Sequence, residues 1–188
     1  MIERRQQQRK GKASKPTEFG KLVKIQETEQ QIITDYEVYA QRPSDRELLV
    51  PAIQVHHDRL GRVPDLVAAD PGFYSAPAAT TAKAMGVTRL SVPATGTKSA
   101  PRKQEQKKRW FKKAQKWRTG CKGRISLLKR RHGLNRCRYR GDAGMKRWVG
   151  LGVIGDNLIN LGVALARSKS TSESSIAAAP PAPTPTPS

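Results

Sequence analysis

Between Pro101 and Arg140 the chain carries 17 lysines and arginines in 40 residues, against a single acid, Glu105. A folded interior cannot take up such a block, because each buried, unpaired cation costs several kcal/mol and almost no carboxylate lies within it. Most of the segment must stay wet, and the core must come from elsewhere in the chain. The whole sequence shares the bias, with 36 Lys plus Arg, 15 Asp plus Glu and a formal charge of +21. An anionic partner would offset that self-repulsion. A solvated charged face is the bland reading of such a run. The near absence of acid favours a surface that neutralises phosphates, with binding that falls steeply as salt rises. Nucleic acid is therefore the expected partner.

A chain of 188 residues with 36% apolar and 5% aromatic residues allows one domain with a modest core. Cys121 and Cys137 stand apart, without zinc-ligand spacing or a disulfide framework, which suits a reducing compartment. No apolar run approaches the roughly 18 residues of a membrane span, and the basic N-terminus has no apolar segment behind it. A cytoplasmic protein without membrane attachment is expected. Residues 1–14 read as a basic disordered arm, and residues 168–188 as a Ser/Ala/Pro tail that cannot offset its ordering entropy. The fold is expected within residues 15–167, including a basic helical segment at 101–140.

Leu22, Val23 and Ile25 begin one strand, and Ile32, Ile33, Tyr36, Val38 and Tyr39 make a second, with a polar turn between them that predicts a hairpin. Ser44 and Glu47 have capping-box spacing and open a helix through Val55, with Pro51 expected to distort it. Leu66–Ala69 reads as a short buried strand closed by Asp70 and Pro71-Gly72. Ser75 can cap a helix that stops at Gly86, and residues 87–92 form the next strand. This strand–helix–strand order predicts a parallel βαβ unit in an α/β fold. Trp110, Phe111, Trp117, Ile125, Leu127 and Leu128 recur at near-helical spacing and predict one packed stripe in the basic segment. Trp148 to Leu165 reads as a buried helix whose glycines allow close approach.

Two places could carry chemistry. Asp70 lies at the carboxyl end of a strand, where α/β proteins gather ligands, and its carboxylate can hold a hard cation. It can equally be a residue that merely starts the turn. In the basic segment, Arg118, Lys122 and Lys129 share one helix face. Arg124, Arg130, Arg131, Arg136, Arg138 and Arg140 extend the charge. His56 and His57 are adjacent and project differently, and His132 sits among cations, so none suggests a metal ligand.

Five co-linear blocks resemble bacterial insertion-sequence transposases of the DDE type, close to the ISNCY group: KPTEFGKLVKI, DYEVYAQRPSDRELLVPAI, GRVPDLVAADPGFYS, GRISLLKRRHGLNRCRYRG and RWVGLGVIGDNL. The likeness runs from about Lys15 to Ala166. It implies an RNase H-like domain in which two Asp and one Glu hold two Mg²⁺ ions for DNA strand cleavage and transfer. On that pattern Asp70 matches the second metal-binding Asp, although Pro71 replaces the usual Arg after it. Gln115, Arg118 and Lys129 stand at the family's Tyr, Arg and Lys positions, and Lys122 stands at its Glu.

An ammonium cannot ligate Mg²⁺, so the departure at Lys122 implies a failed metal centre. No apolar strand with the first Asp precedes the hairpin. The resemblance thus implies a partial RNase H-like domain, a mixed sheet of hairpin plus βαβ unit with its central first strand missing, flanked by helices. The expected protein is an N-terminally truncated transposase that binds double-stranded DNA at the element's ends, as a monomer or homodimer associated with the nucleoid. Its catalysis would be impaired. A non-catalytic DNA-binding regulator of the element is the alternative, while a still-active enzyme and an RNA binder are less favoured.

Overall fold

The computed structural model describes residues 7–9, 17–19 and 21–177. A short antiparallel pair comes first, β1 (Gln7–Arg9) with β2 (Thr17–Phe19). β1 falls in the stretch expected to be an arm, whose other residues lie outside the described ones. The predicted hairpin follows as β3 (Leu22–Glu27) and β4 (Ile33–Tyr39). Thr28 closes its turn: the backbone N–H donates to the Ile32 carbonyl at 2.8 Å, and the hydroxyl accepts from the Ile32 N–H at 3.3 Å.

The hairpin is not regular. Gln26 faces Asp35 but Glu27 faces Ile33, so Thr34 is the extra residue of a β-bulge. Side chains alternate along a strand, and one extra residue therefore sets Ile33 on the same face as Tyr36 and Val38. Together with Val23 and Ile25 these pack against Leu128, Val149 and Val153. The opposite face is polar. Lys24 and Asp35, both buried, lie 3.4 Å apart, and Arg59 reaches Asp35 at 2.8 Å.

The predicted βαβ unit is formed by β5 (Leu66–Ala68), α2 (Ala76–Ala84) and β6 (Arg89–Ser91), with β5 and β6 parallel. Ser75 caps α2 by accepting the Ala78 N–H at 3.2 Å, and Gly86, at φ 106°, takes the left-handed position after it. Before this unit runs α1 (Leu49–Leu60), and Leu49 and Ile53 join Ala78, Ala82, Val87, Leu90 and Val92 in one apolar core.

The start of α1 departs from expectation. Ser44 makes no side-chain cap; a 3-10 turn at Asp45–Glu47 intervenes, and the helix begins at Leu49. Pro51 consequently falls in the first turn, where no intrahelical partner awaits its missing N–H, and it leaves the helix intact.

The hairpin and the βαβ unit, expected as two halves of a mixed sheet lacking its central first strand, do not pair with one another. The strands make three separate pairs, and among the described residues no strand joins the hairpin to the parallel pair. Helices span the interval instead: α3 (Ala100–Lys107), α4 (Arg109–Arg131) and α5 (Gly141–Ala177). The expected stripe on α4 is only partly realised. Phe111, Ala114 and Leu128 are buried, whereas Ile125 and Leu127 are exposed, because α4 has neighbours on one narrow face only.

The last helix corrects three expectations. α5 is buried only through its first half, at Gly144, Val149, Gly150, Gly152, Val153 and Asp156; from Leu161 to Ser168 it is exposed throughout. It runs on to Ala177, into the stretch expected to be tail. It is also long and apolar enough to cross a membrane, with mean hydropathy 1.6 in a window within Gly141–Ser168, of which 28% is buried. Glycines and asparagines interrupt the run, so a search for unbroken apolar residues overlooks it. The predicted close approach does hold in the packed half: a Cβ on Gly150 would meet the Tyr36 hydroxyl at 2.3 Å, and one on Gly152 would meet Leu134 at 2.9 Å.

Candidate functional site

α4 lies across the carboxyl ends of the parallel strands, held there by polar contacts. Ser91, fully buried at the end of β6, donates its hydroxyl to the Phe111 carbonyl at 3.0 Å. One turn further along, the Gln115 amide donates to the Ala69 carbonyl at 3.3 Å and to Ser91 Oγ at 3.2 Å. The amide thereby gives the Ala69 carbonyl, just past β5, a donor, and it also donates to the Ser91 carbonyl, which accepts the Ala69 N–H as well.

The helix then continues the same face at intervals of three residues: Gln115, Arg118, Cys121, Arg124. Residues three apart are neighbours on a helix surface, and this row points inward. Arg118 is ion-paired with Asp70. Cys121 donates its thiol to Glu27 Oε1 at 2.6 Å. Arg124 Nε lies 2.7 Å from Glu27 Oε2, an ion pair whose N–H is not aligned as a hydrogen bond. The row therefore begins on the βαβ unit and ends on the hairpin.

Asp70 sits where the sequence placed it, just past β5. Its side chain does not cap the 3-10 turn Pro71–Phe73 that follows; its backbone carbonyl alone accepts the Phe73 N–H, at 3.0 Å. The half-exposed carboxylate instead faces the mostly buried Arg118 guanidinium. Turn formation thus rests on the backbone, and the side chain is engaged by α4.

Glu27 was not singled out by the sequence. It ends β3 on the apolar face of the hairpin, beyond Val23 and Ile25, and is 8% exposed. A carboxylate at the end of an apolar alternation is the signal that could have found it. Its hydrogen bond and the surrounding burial act on Cys121: burial first, and the Glu27 carboxylate second, push the thiol up to about 12. The thiol stays protonated at neutral pH and is inert as a nucleophile.

The eight cations expected to contact DNA fall into two groups. Arg118 and Arg124 are 14% and 13% exposed and are turned inward to carboxylates. Lys129, Arg130, Arg131, Arg136, Arg138 and Arg140 are exposed along the end of α4 and the loop after it. The two inward arginines were grouped with the rest because charge counting along a helix does not see which face meets an acid. Lys122 lies one turn beyond Arg118 in α4.

The site does not suit a pair of divalent ions. Among the described residues no three acids, histidines or cysteines cluster in a way that could hold a metal. Asp70 faces a guanidinium, and Glu27 is shared by a thiol and a second guanidinium. A hard cation requires oxygen ligands free of competing cations. His132 and Asp156, 3.4 Å apart, form a separate pair under α5.

Residues 78–162 match the family model described as transposase DDE domain, a stretch running from α2 through α4 into α5. It includes Lys122 and all eight cations but begins after Asp70. No curated protein and no solved structure matches the chain.

Proposed function

We propose that this chain is a DDE-type transposase, a reading supported by the match over residues 78–162, and that it grips DNA without cutting it. Transposition is the function of the matched domain, and enzymes of that type generally work through divalent metal ions. The finer reading concerns what these residues retain of it. The observation that carries it is the pairing of Asp70 with Arg118, beside a helix whose family carboxylate position is Lys122. A cation already neutralises the acid, and a second cation stands where a ligand is needed. No strand-cleavage step is therefore assigned to this chain.

Duplex DNA is held by the exposed group, Lys129 to Arg140. Six exposed cations lie on one helix end and the loop after it, and phosphate contacts need no base-reading element. Arg118 and Arg124 serve the fold rather than the ligand. The protein acts in the cytoplasm on nucleoid DNA, at the ends of the element that encodes it. A regulator that occupies those ends is the second reading, favoured by the same cation-filled centre.

Binding to labelled duplex over a salt series tests the grip. With about six phosphates engaged, affinity should fall roughly a thousandfold between 50 and 200 mM salt. The triple variant R136A/R138A/R140A should flatten the slope by about half, since each lost phosphate contact reduces it by about 0.9. A flat response in the parent protein defeats the assignment. Nicking of donor-end DNA in Mg²⁺ by the purified chain, abolished in D70A, would show that a working centre survives. Protection confined to terminal repeats in a footprint would favour the regulator.

A further inference from the structure

On α5, Leu151, Ile154, Leu158, Leu161 and Leu165 are separated by three, four, three and four residues. This is the alternation of a two-helix seam, in which each side chain inserts between four residues of a facing helix. All five point away from the hairpin and stand between 47% and 64% exposed. We infer that this stripe joins two copies of the chain, α5 against α5.

Three observations select a second copy as occupant. The first is charge. Between Arg147 and Arg167 the only ionisable residue is Asp156, which is buried against His132 and Asn160. Two molecules of charge +21 repel almost everywhere else, but here they present a neutral face to one another. The second is shape. Gly162 borders the stripe, and a Cβ there would meet nothing, so a second helix can approach closely at that point. The third is pre-organisation. The first half of α5 is fixed on the hairpin, where Asn157 donates to the Ile33 carbonyl at 2.9 Å and accepts its N–H at 2.8 Å. The seam pays little ordering entropy on association.

Lipid is the rival occupant, because the same helix is long and apolar enough to span a bilayer. Its polar residues argue against this. Asp156, Asn157 and Asn160 fall in the middle of the apolar stretch and bind protein partners, and one side of the helix is already covered by β4. A span would have to strip those contacts away. A seam uses only the opposite side.

The stripe covers about 21 Å of helix, and its area falls short of the roughly 800 Å² per partner of a standard interface. A reversible dimer is therefore expected, forming at tens of micromolar by analogy with small interfaces. Sedimentation of nuclease-treated protein at about 0.5 M salt, where exposed charges are screened, reads this directly. The parent protein should pass from monomer to dimer with concentration, and L158E/L161E should weaken association at least tenfold with unchanged helical circular dichroism. L165E, altered beyond the packed half of α5, guards against loss of fold and should act in the same direction. A parent protein that stays monomeric to about 100 µM overturns the inference. So does a dimer indifferent to both variants, or binding to phosphatidylcholine vesicles that these residues support while the free protein is monomeric.

Discussion

The two halves of the molecule are held together differently. Around β5 and β6 the interior is almost wholly apolar, with Leu49, Ile53, Ala82, Leu90 and Val92 shut off from solvent. Around the hairpin, four buried apolar residues are supplemented by Lys24, Asp35 and Asp156, with Glu27, Arg124 and Asn157 alongside. The first kind of core tolerates charge screening and changes of pH, since burial of hydrocarbon involves no charged partner. The second depends on the charge state and geometry of each partner. One helix, α4, serves both: its Phe111 carbonyl and Gln115 amide are bonded at the ends of β6 and β5, and its Leu128 packs with the hairpin. A half-sheet can thus be completed by a helix, at the cost of replacing strand hydrogen bonds with side-chain ones.

Leu90→Ala should be the most damaging substitution, removing about 3–4 kcal/mol by leaving a cavity in the apolar core. Urea unfolding measures it, and the loss should be unaffected by salt. Glu27→Ala should cost about 3 kcal/mol, because Arg124 and the Cys121 thiol are left without their shared acceptor. A loss below about 1 kcal/mol would mean the hairpin is held by its apolar face alone.

The same carboxylate gives a chemical readout. Because the folded thiol titrates above its ordinary value, its contribution to stability is fully present below pH 9 and disappears as pH rises towards about 12. Iodoacetamide at pH 8 should label Cys121 only slowly in the parent protein and faster in folded Glu27→Gln.

Asn157→Ala should cost about 2 kcal/mol through the two Ile33 groups it leaves unpaired, and amide exchange should show the hairpin opening before β5 and β6. Asp70→Asn should be the mildest, under 1 kcal/mol, because its carboxylate is half exposed. An effect as large as that of Glu27→Ala would show that both ends of the inward row on α4 carry equal weight, erasing the contrast.

Much of the local structure was legible in the sequence. The hairpin, the Ser75 cap, Gly86 and the parallel pairing of residues 66–68 with 89–91 follow from alternation and turn chemistry, which act over a few residues. What depended on distant partners was not legible. Nothing near Ser44 announces that a 3-10 turn will displace the cap, and nothing in Leu151 or Leu158 says that they will be exposed among the described residues. At the site, Asp70 was placed correctly because strand ends are a local matter. The inward pairing of Arg118 and Arg124 was missed because their acids lie 48 and 97 residues away in sequence.

The amide of Asn157 behaves as a borrowed peptide group. It donates and accepts at Ile33 just as the main chain of an adjoining strand would, and so blunts one rung of the exposed margin of β4. An open margin of this kind invites foreign strands to zip onto it. A single side chain, by occupying the first rung, withholds the foothold from which such templating could begin.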